Sequence, residues 1–476
     1  ANDFVVQSGT LTTTSNNYQM FISSSVRLND GRFKANGSTI TVSANWLDDS
    51  TTARFSKDTS VVKFLGTGNI AYGNFYNVSI AESGMEVSII GSLAVTNKII
   101  YKGGTVLGAA VGTWGTSQNP LEIYPGTIMN NTMLYISDTG GTKYLPSYSG
   151  YPDLSLRCYV SGGSTFYLET GGITAGDVEI FGIMYHASTL DLNGQPFNCE
   201  KLTLAMGSVA PGRLVASSEN IDCGSGGIDI QLGGQFIAGN STVYCGGDFK
   251  NQNGFNYGNS TVILNAVSTQ TLHNSTTFYA LKALTNGATV QFYEGRTFYV
   301  ANKIDFQDIY LRSTTPGSTW YFNYSGSSQT VKNCTVSDSN ASASDEPIIA
   351  TDNCTNDGNN TNWVFDATTL TWDGSEGTDW NTAANWNYNQ VPSANSIVII
   401  PDVTNDPSLG SYVTISSITI ESGAVLNLNT YNLTVASDVY ISGQLSASST
   451  EQITVGGSWY AYSGSTFTYA TSTATF

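Results

Sequence analysis

Charge is scarce in this chain of 476 residues: Asp, Glu, Lys and Arg make up 11 % of it, against about 25 % in ordinary globular domains. The shortage is greater on the basic side, with 18 Lys and Arg against 36 Asp and Glu and a net charge of −18. A nucleic-acid partner needs clustered cations, so the balance argues against nucleic acid and against adhesion to an anionic bilayer. No apolar run approaches the length of a membrane-spanning helix. Histidine occurs only twice, at His186 and His273, with no nucleophile motif near either. None of the six cysteines forms a CxxC pair, which excludes a zinc finger. GxGxxG, P-loop, HExxH and GxSxG patterns are absent as well, and no enzyme activity is expected.

Against these absences stand 49 Gly, 27 Tyr and abundant Ser, Thr and Asn. Strong helix formers are few while Thr, Val, Ile and Tyr are many, a balance that favours strands and turns. Short pieces alternate apolar and polar residues between Gly, Asn, Asp or Ser, as in STITVSANW and GGIDIQLGGQFIAGNSTVYCGGDF, which is an all-β pattern.

The chain also repeats itself. FSKDTSVVKF at Phe55 returns as FNYGNSTVIL at Phe255 and as FTYATSTATF at Phe467. The first and last copies also match at Tyr18/Tyr431, Val26/Val439, Ile40/Ile453, Val42/Val455 and Trp46/Trp459. A module of roughly 200 residues, made of quasi-repeats of about 20 to 25, is the signature of a solenoid in which short strands stack coil upon coil. The expected fold is therefore all-β: a right-handed parallel β-helix with a Trp-rich interruption. At ~22 residues per coil and about 4.8 Å per step it would hold about 20 coils. Val42, Val62, Val262, Ile453 and Val455 are expected to point inward. The stretch from Gly108 to Asp177 fits the pattern poorly.

The strings TWDGSEGTDWNTAANWNYNQVPSANSIVIIPDVTNDP and STVILNAVSTQTLHNSTTFYALKALTNGATVQF resemble segments of very large bacterial or archaeal cell-surface proteins, adhesin-like or autotransporter-passenger-like. The resemblance implies a secreted, repetitive structural or adhesive protein folded as a parallel β-helix, and it supplies no active site.

Four segments follow from this reading: coils over 1–333, a Cys-bracketed polar loop over 334–364, a Trp-rich junction over 365–410, and coils over 411–476 that repeat 1–64. Cys334 and Cys354, about one coil apart, are expected to form a disulfide in an oxidising compartment. Asp345, Asp352 and Asp357 in the polar loop, with Asp338 and Glu346 nearby, are weak candidates for binding Ca²⁺. The loop is not an EF-hand, because Val364 stands where the bidentate Glu belongs. No other cofactor is expected.

Trp372, Trp380 and Trp386 either pin a small core or, if exposed, stack on sugar rings. The expected role is a structural extracellular or cell-surface fibre, stalk or adhesin shaft. A glycan-binding adhesin and a carbohydrate-active β-helix enzyme are the alternatives. Ala1 suits a mature or excised segment, and Phe476 stops partway through a module. Continuation of the chain, or end-to-end docking of a second copy, is therefore expected.

Overall fold

The computed structural model describes residues 2–14, 16–48, 54–91, 93–114, 117–138, 140–158, 163–183, 185–206, 210–365 and 369–476. It is a parallel β-solenoid of about 20 turns. The chain divides into two compact units, one of Ala1–Ile304 with Arg312–Ser327 and one of Asp305–Leu311 with Ser328–Phe476.

In the first unit each coil contributes short strands whose alternate side chains turn inward. One inward row runs Leu93, Val111, Leu134, Leu154, Val178, Leu202, Ile228, Phe249, Leu272 and Phe292, each paired in parallel with the next. All ten side chains are buried. Fully burying one such side chain contributes roughly 1.5–3 kcal/mol, so the row is a continuous core one residue wide. It crosses the stretch from Gly108 to Asp177 without a break, and the poor fit seen in the sequence is not a gap in the coils. A second row runs Met20, Ile40, Val62, Val78, Ile99 and Leu121.

In the second unit Leu370, Val398, Ile418, Val439 and Trp459 form one row, and Val413, Leu433, Ile453 and Ala474 another. The five residues expected to point inward, Val42, Val62, Val262, Ile453 and Val455, are all buried.

The three sequence copies are three copies of one coil arrangement. Phe33 pairs with Phe55, Phe236 with Phe255, and Leu445 with Phe467. An edge-on aromatic contact recurs beside each: Trp46–Phe55 at 5.0 Å, Phe249–Phe255 at 5.3 Å and Trp459–Phe467 at 5.2 Å between ring centroids.

The corners explain the abundance of asparagine. Asn36, Asn193, Asn253, Asn353 and Asn429 all sit at positive φ, a conformation that Asn tolerates better than most residues because its short amide bonds locally. Outside the core, amides bond from coil to coil: Asn97 Nδ2 donates to Asn77 Oδ1 at 2.8 Å, and Asn353 Nδ2 to Asn333 Oδ1 at 2.8 Å.

Two buried glutamates tie corners together. Glu219 accepts the N–H groups of Ser217, Ser218 and, from the preceding coil, Gly194. Glu451 does the same for Ser448, Ser449 and Thr430. Burial pushes the Glu451 carboxyl up, but the backbone N–H groups of Ser448, Glu451, Ser449 and Thr430 outweigh it and hold the acid below its usual 4.5. A carboxylate with a depressed folded pKa stabilises the fold above its unfolded pKa and loses that contribution as pH falls through the folded one. Melting temperature is therefore expected to fall with pH below about 4.5 in the wild type, and less steeply in Glu451→Gln. Glu451→Ala leaves buried N–H groups unpaired and is expected to cost roughly 1–3 kcal/mol at neutral pH.

Candidate functional site

The tryptophan segment lies between two paired strands and is itself bridged to the next coil, Asp379 pairing in parallel with Ser408. Thr369–Thr371 pairs in parallel with Ile397–Ile400. The chain between them turns through two short 3-10 segments, Ala383–Asn385 and Asn387–Asn389. Trp372, Trp380 and Trp386 are no more than 1 % exposed. Trp386 meets Trp372 edge-on at 5.0 Å and Trp380 at 4.7 Å. Two of the polar edges are satisfied internally, Trp372 Nε1 donating to Asn405 O at 2.7 Å and Trp386 Nε1 to Trp380 O at 2.9 Å. The possible sugar-stacking role is thereby corrected: a ring with no exposed face cannot receive a sugar, and the three indoles are a core.

The cysteines also differ from expectation. All six are free thiols, and the bond expected between Cys334 and Cys354 is absent. The two residues do meet, with the Cys334 N–H donating to Cys354 Sγ at 3.3 Å. The Cys334 thiol instead lies against the carbonyls of Phe306 and Lys332, at 3.3 and 3.2 Å. Side-chain contact with Cys334 lowers the Cys354 pKa, aided by the Cys334 N–H, while the same side-chain contact, with burial, raises that of Cys334. Elsewhere Cys199, Cys223 and Cys245 form one buried column in register, the first two sulfurs 3.5 Å apart. Cys354 alone is not buried. Alkylation of the native protein is expected to label Cys354 first and the other five only on unfolding. Protection of Cys354 that reducing agent removes would instead reveal a disulfide.

The Ca²⁺ candidates do not converge. Asp345, Asp352 and Asp357 are exposed, and Asp352 pairs with Lys332 at 3.4 Å. Asp338 is buried and accepts from Asn359 Nδ2 at 2.9 Å. Among the described residues no group of three or more His, Cys, Asp or Glu side chains is placed to hold a metal ion.

A polar cluster that the sequence reading passed over lies on the outer face of the first unit. Asp248 Oδ2 bonds His273 Nε2 at 2.8 Å and lies 3.8 Å from Lys250 Nζ, while Oδ1 accepts the Thr271 N–H at 3.0 Å. The imidazole lies beside the Tyr293 ring at 5.9 Å. The adjoining concavity of about 330 Å³ is bordered by Lys201, Asp229, Asp248 and Lys250. Carboxylate, imidazole and ammonium in contact are the materials of general acid–base chemistry. The available signal was coil spacing, because Asp248 and His273 are 25 residues apart and so occupy adjacent coils.

These features define a β-solenoid repeat protein with a buried cluster of three tryptophans. Residues 371–452 match a family model described as a domain of unknown function (DUF8693). The match joins the tryptophan segment to the coils that follow it. No curated protein and no solved structure matches the chain.

Proposed function

We propose that this chain is a structural protein of the extracellular space or cell surface, a segment of a fibre, stalk or adhesin shaft. The observation that carries the reading is the threefold recurrence of one coil arrangement, with the same strand pairing and the same edge-on aromatic contact. Coil stacking extends a chain in one dimension and pairs its backbone polar groups between neighbours, which suits a shaft. End-to-end association belongs to the same reading, either as a longer coil stack in one chain or as docking of a second copy. Two measurements test it. Antibody against the chain is expected to label intact cells of the source organism, and the purified protein is expected to image as rods. Labelling only after permeabilisation, or round particles, would refute it.

A second reading, a carbohydrate-active solenoid, rests on Asp248, His273 and Lys250 beside their concavity. It predicts release of reducing ends from a polysaccharide by the wild type and not by Asp248→Asn. Absence of release from a broad polysaccharide panel would count against it.

A further inference from the structure

One concavity of this acidic protein is strongly basic where the fold asks for no charge. Arg32, Lys34, Arg54 and Lys57 border a concavity of about 610 Å³, together with Thr10, Ser56, Asp58 and Asn74. Four of the chain's 18 basic residues therefore share one surface. Arg32 and Lys34 are exposed on the strand Arg32–Lys34, flanking the buried Phe33. Arg54 and Lys57 flank the strand Phe55–Ser56 on the next coil. Arg54 is anchored by Leu28 O at 3.0 Å and Asp30 at 3.4 Å, and the Lys57 ammonium donates to Asn74 and Thr96.

The other two copies of this coil arrangement supply a control. Pairing places Gln235, Ile237, Gly254 and Asn256 of the second copy where the first has Arg32, Lys34, Arg54 and Ser56. A concavity of about 260 Å³ is present there as well, but its lining, which includes Gln235, Ile237, Asn253 and Asn256, is uncharged. The third copy has Gln444, Ser446, Thr466 and Thr468. Two neutral versions fold with the same pairing, so coil packing does not require the cations.

We infer that the concavity at Arg32, Lys34, Arg54 and Lys57 binds an acidic polysaccharide, a chain of sugars carrying carboxylate or sulfate groups. Adjacent coils stand about 4.8 Å apart, close to the length of one sugar unit, so cations on neighbouring coils can meet charges on neighbouring sugars. Thr10, Ser56 and Asn74 offer hydrogen bonds to hydroxyls between those charges. Duplex DNA fits less well. Its backbone carries no free sugar hydroxyls, so Thr10, Ser56 and Asn74 would have only phosphate oxygens to meet. The inference does not depend on the shaft reading, since a site of this kind serves a shaft, an adhesin or an enzyme equally.

The test uses the full chain and four probes: polygalacturonate, heparin, neutral dextran and duplex DNA. The wild type is expected to bind at least one of the two acidic polysaccharides, more weakly at high salt, and not to bind dextran. Replacing the cations with the third copy's residues, Arg32→Gln, Lys34→Ser and Arg54→Thr, is expected to weaken binding roughly tenfold or more through lost counterion release. The double variant Arg32→Gln/Lys34→Ser leaves the anchoring contacts of Arg54 intact and is expected to weaken binding while keeping the wild-type melting temperature. Unchanged affinity in the double variant, no binding of either acidic polysaccharide by the wild type, or tighter binding of DNA than of both would each overturn the proposal.

Discussion

Replacing Trp386 with alanine is expected to destabilise the second unit by about 3–5 kcal/mol, the range for removing a large buried aromatic side chain. Trp386 is 1 % exposed and touches the other two indoles of its segment edge-on, so its loss takes both ring contacts away together. The Trp380 carbonyl, which accepts the indole N–H at 2.9 Å, would lose its partner as well. The segment has no strand of its own between Thr371 and Ile397, so its tryptophan core and its scattered backbone bonds, such as Asp373 N–H to Asn385 O and Trp380 N–H to Ser408 O, hold it together. Denaturant unfolding followed by tryptophan fluorescence measures the loss. Tyr462→Ala serves as the control: that ring is 52 % exposed, and its removal is expected to change stability by less than about 0.5 kcal/mol. Equal effects from the two variants would show that the indoles do not pin the segment.

Val262→Asp is expected to be at least as damaging to the first unit. Val262 is fully buried, between Val243 on one neighbouring coil and Leu281 on the other. A carboxylate there has apolar neighbours above and below, and an uncompensated buried charge costs about 3–5 kcal/mol. In a stack where each coil contacts only its neighbours, the damage spreads by nearest-neighbour coupling. Hydrogen exchange should therefore accelerate first at Thr242–Cys245 and Thr276–Ala283, the strands paired to it on either side. Thr261→Ala, one residue away and facing outward, is expected to leave exchange in those strands almost unchanged. Uniform exchange throughout the unit after Val262→Asp would argue for a single cooperative core in place of stacked coils.

Much of the architecture was legible because one alternation recurs at each coil. Val42, Val62, Val262, Ile453 and Val455 could be placed inward from period-2 spacing and repeat matching alone. The coils between Gly108 and Asp177 were harder to read, since inward Leu134 and Ile136 are separated by an outward aromatic, Tyr135, and the alternation blurs into an apolar run. The tryptophans were ambiguous for a chemical reason. An indole suits a core and a sugar platform equally, and the choice depended on Asn405, whose carbonyl receives Trp372 from 33 residues away. Coil spacing brought Cys334 and Cys354 together but carried no information on whether their sulfurs join. It would equally have paired Asp248 with His273, and Arg32 with Arg54, had polar residues been followed around the coil as the apolar ones were.

The asparagine corners bear on how the protein ages. In an Asn-Gly pair the glycine nitrogen can attack the asparagine side chain, closing a succinimide that opens to aspartate or isoaspartate. Asn193–Gly194 and Asn253–Gly254 are such pairs, both at coil corners. In each the nitrogen that would attack is already engaged, Gly194 by Glu219 Oε1 at 2.7 Å and Gly254 by Asn251 Oδ1 at 2.8 Å. The hydrogen bonds that shape these corners thereby also protect them from deamidation, the slow chemical decay that limits the working life of long-lived proteins.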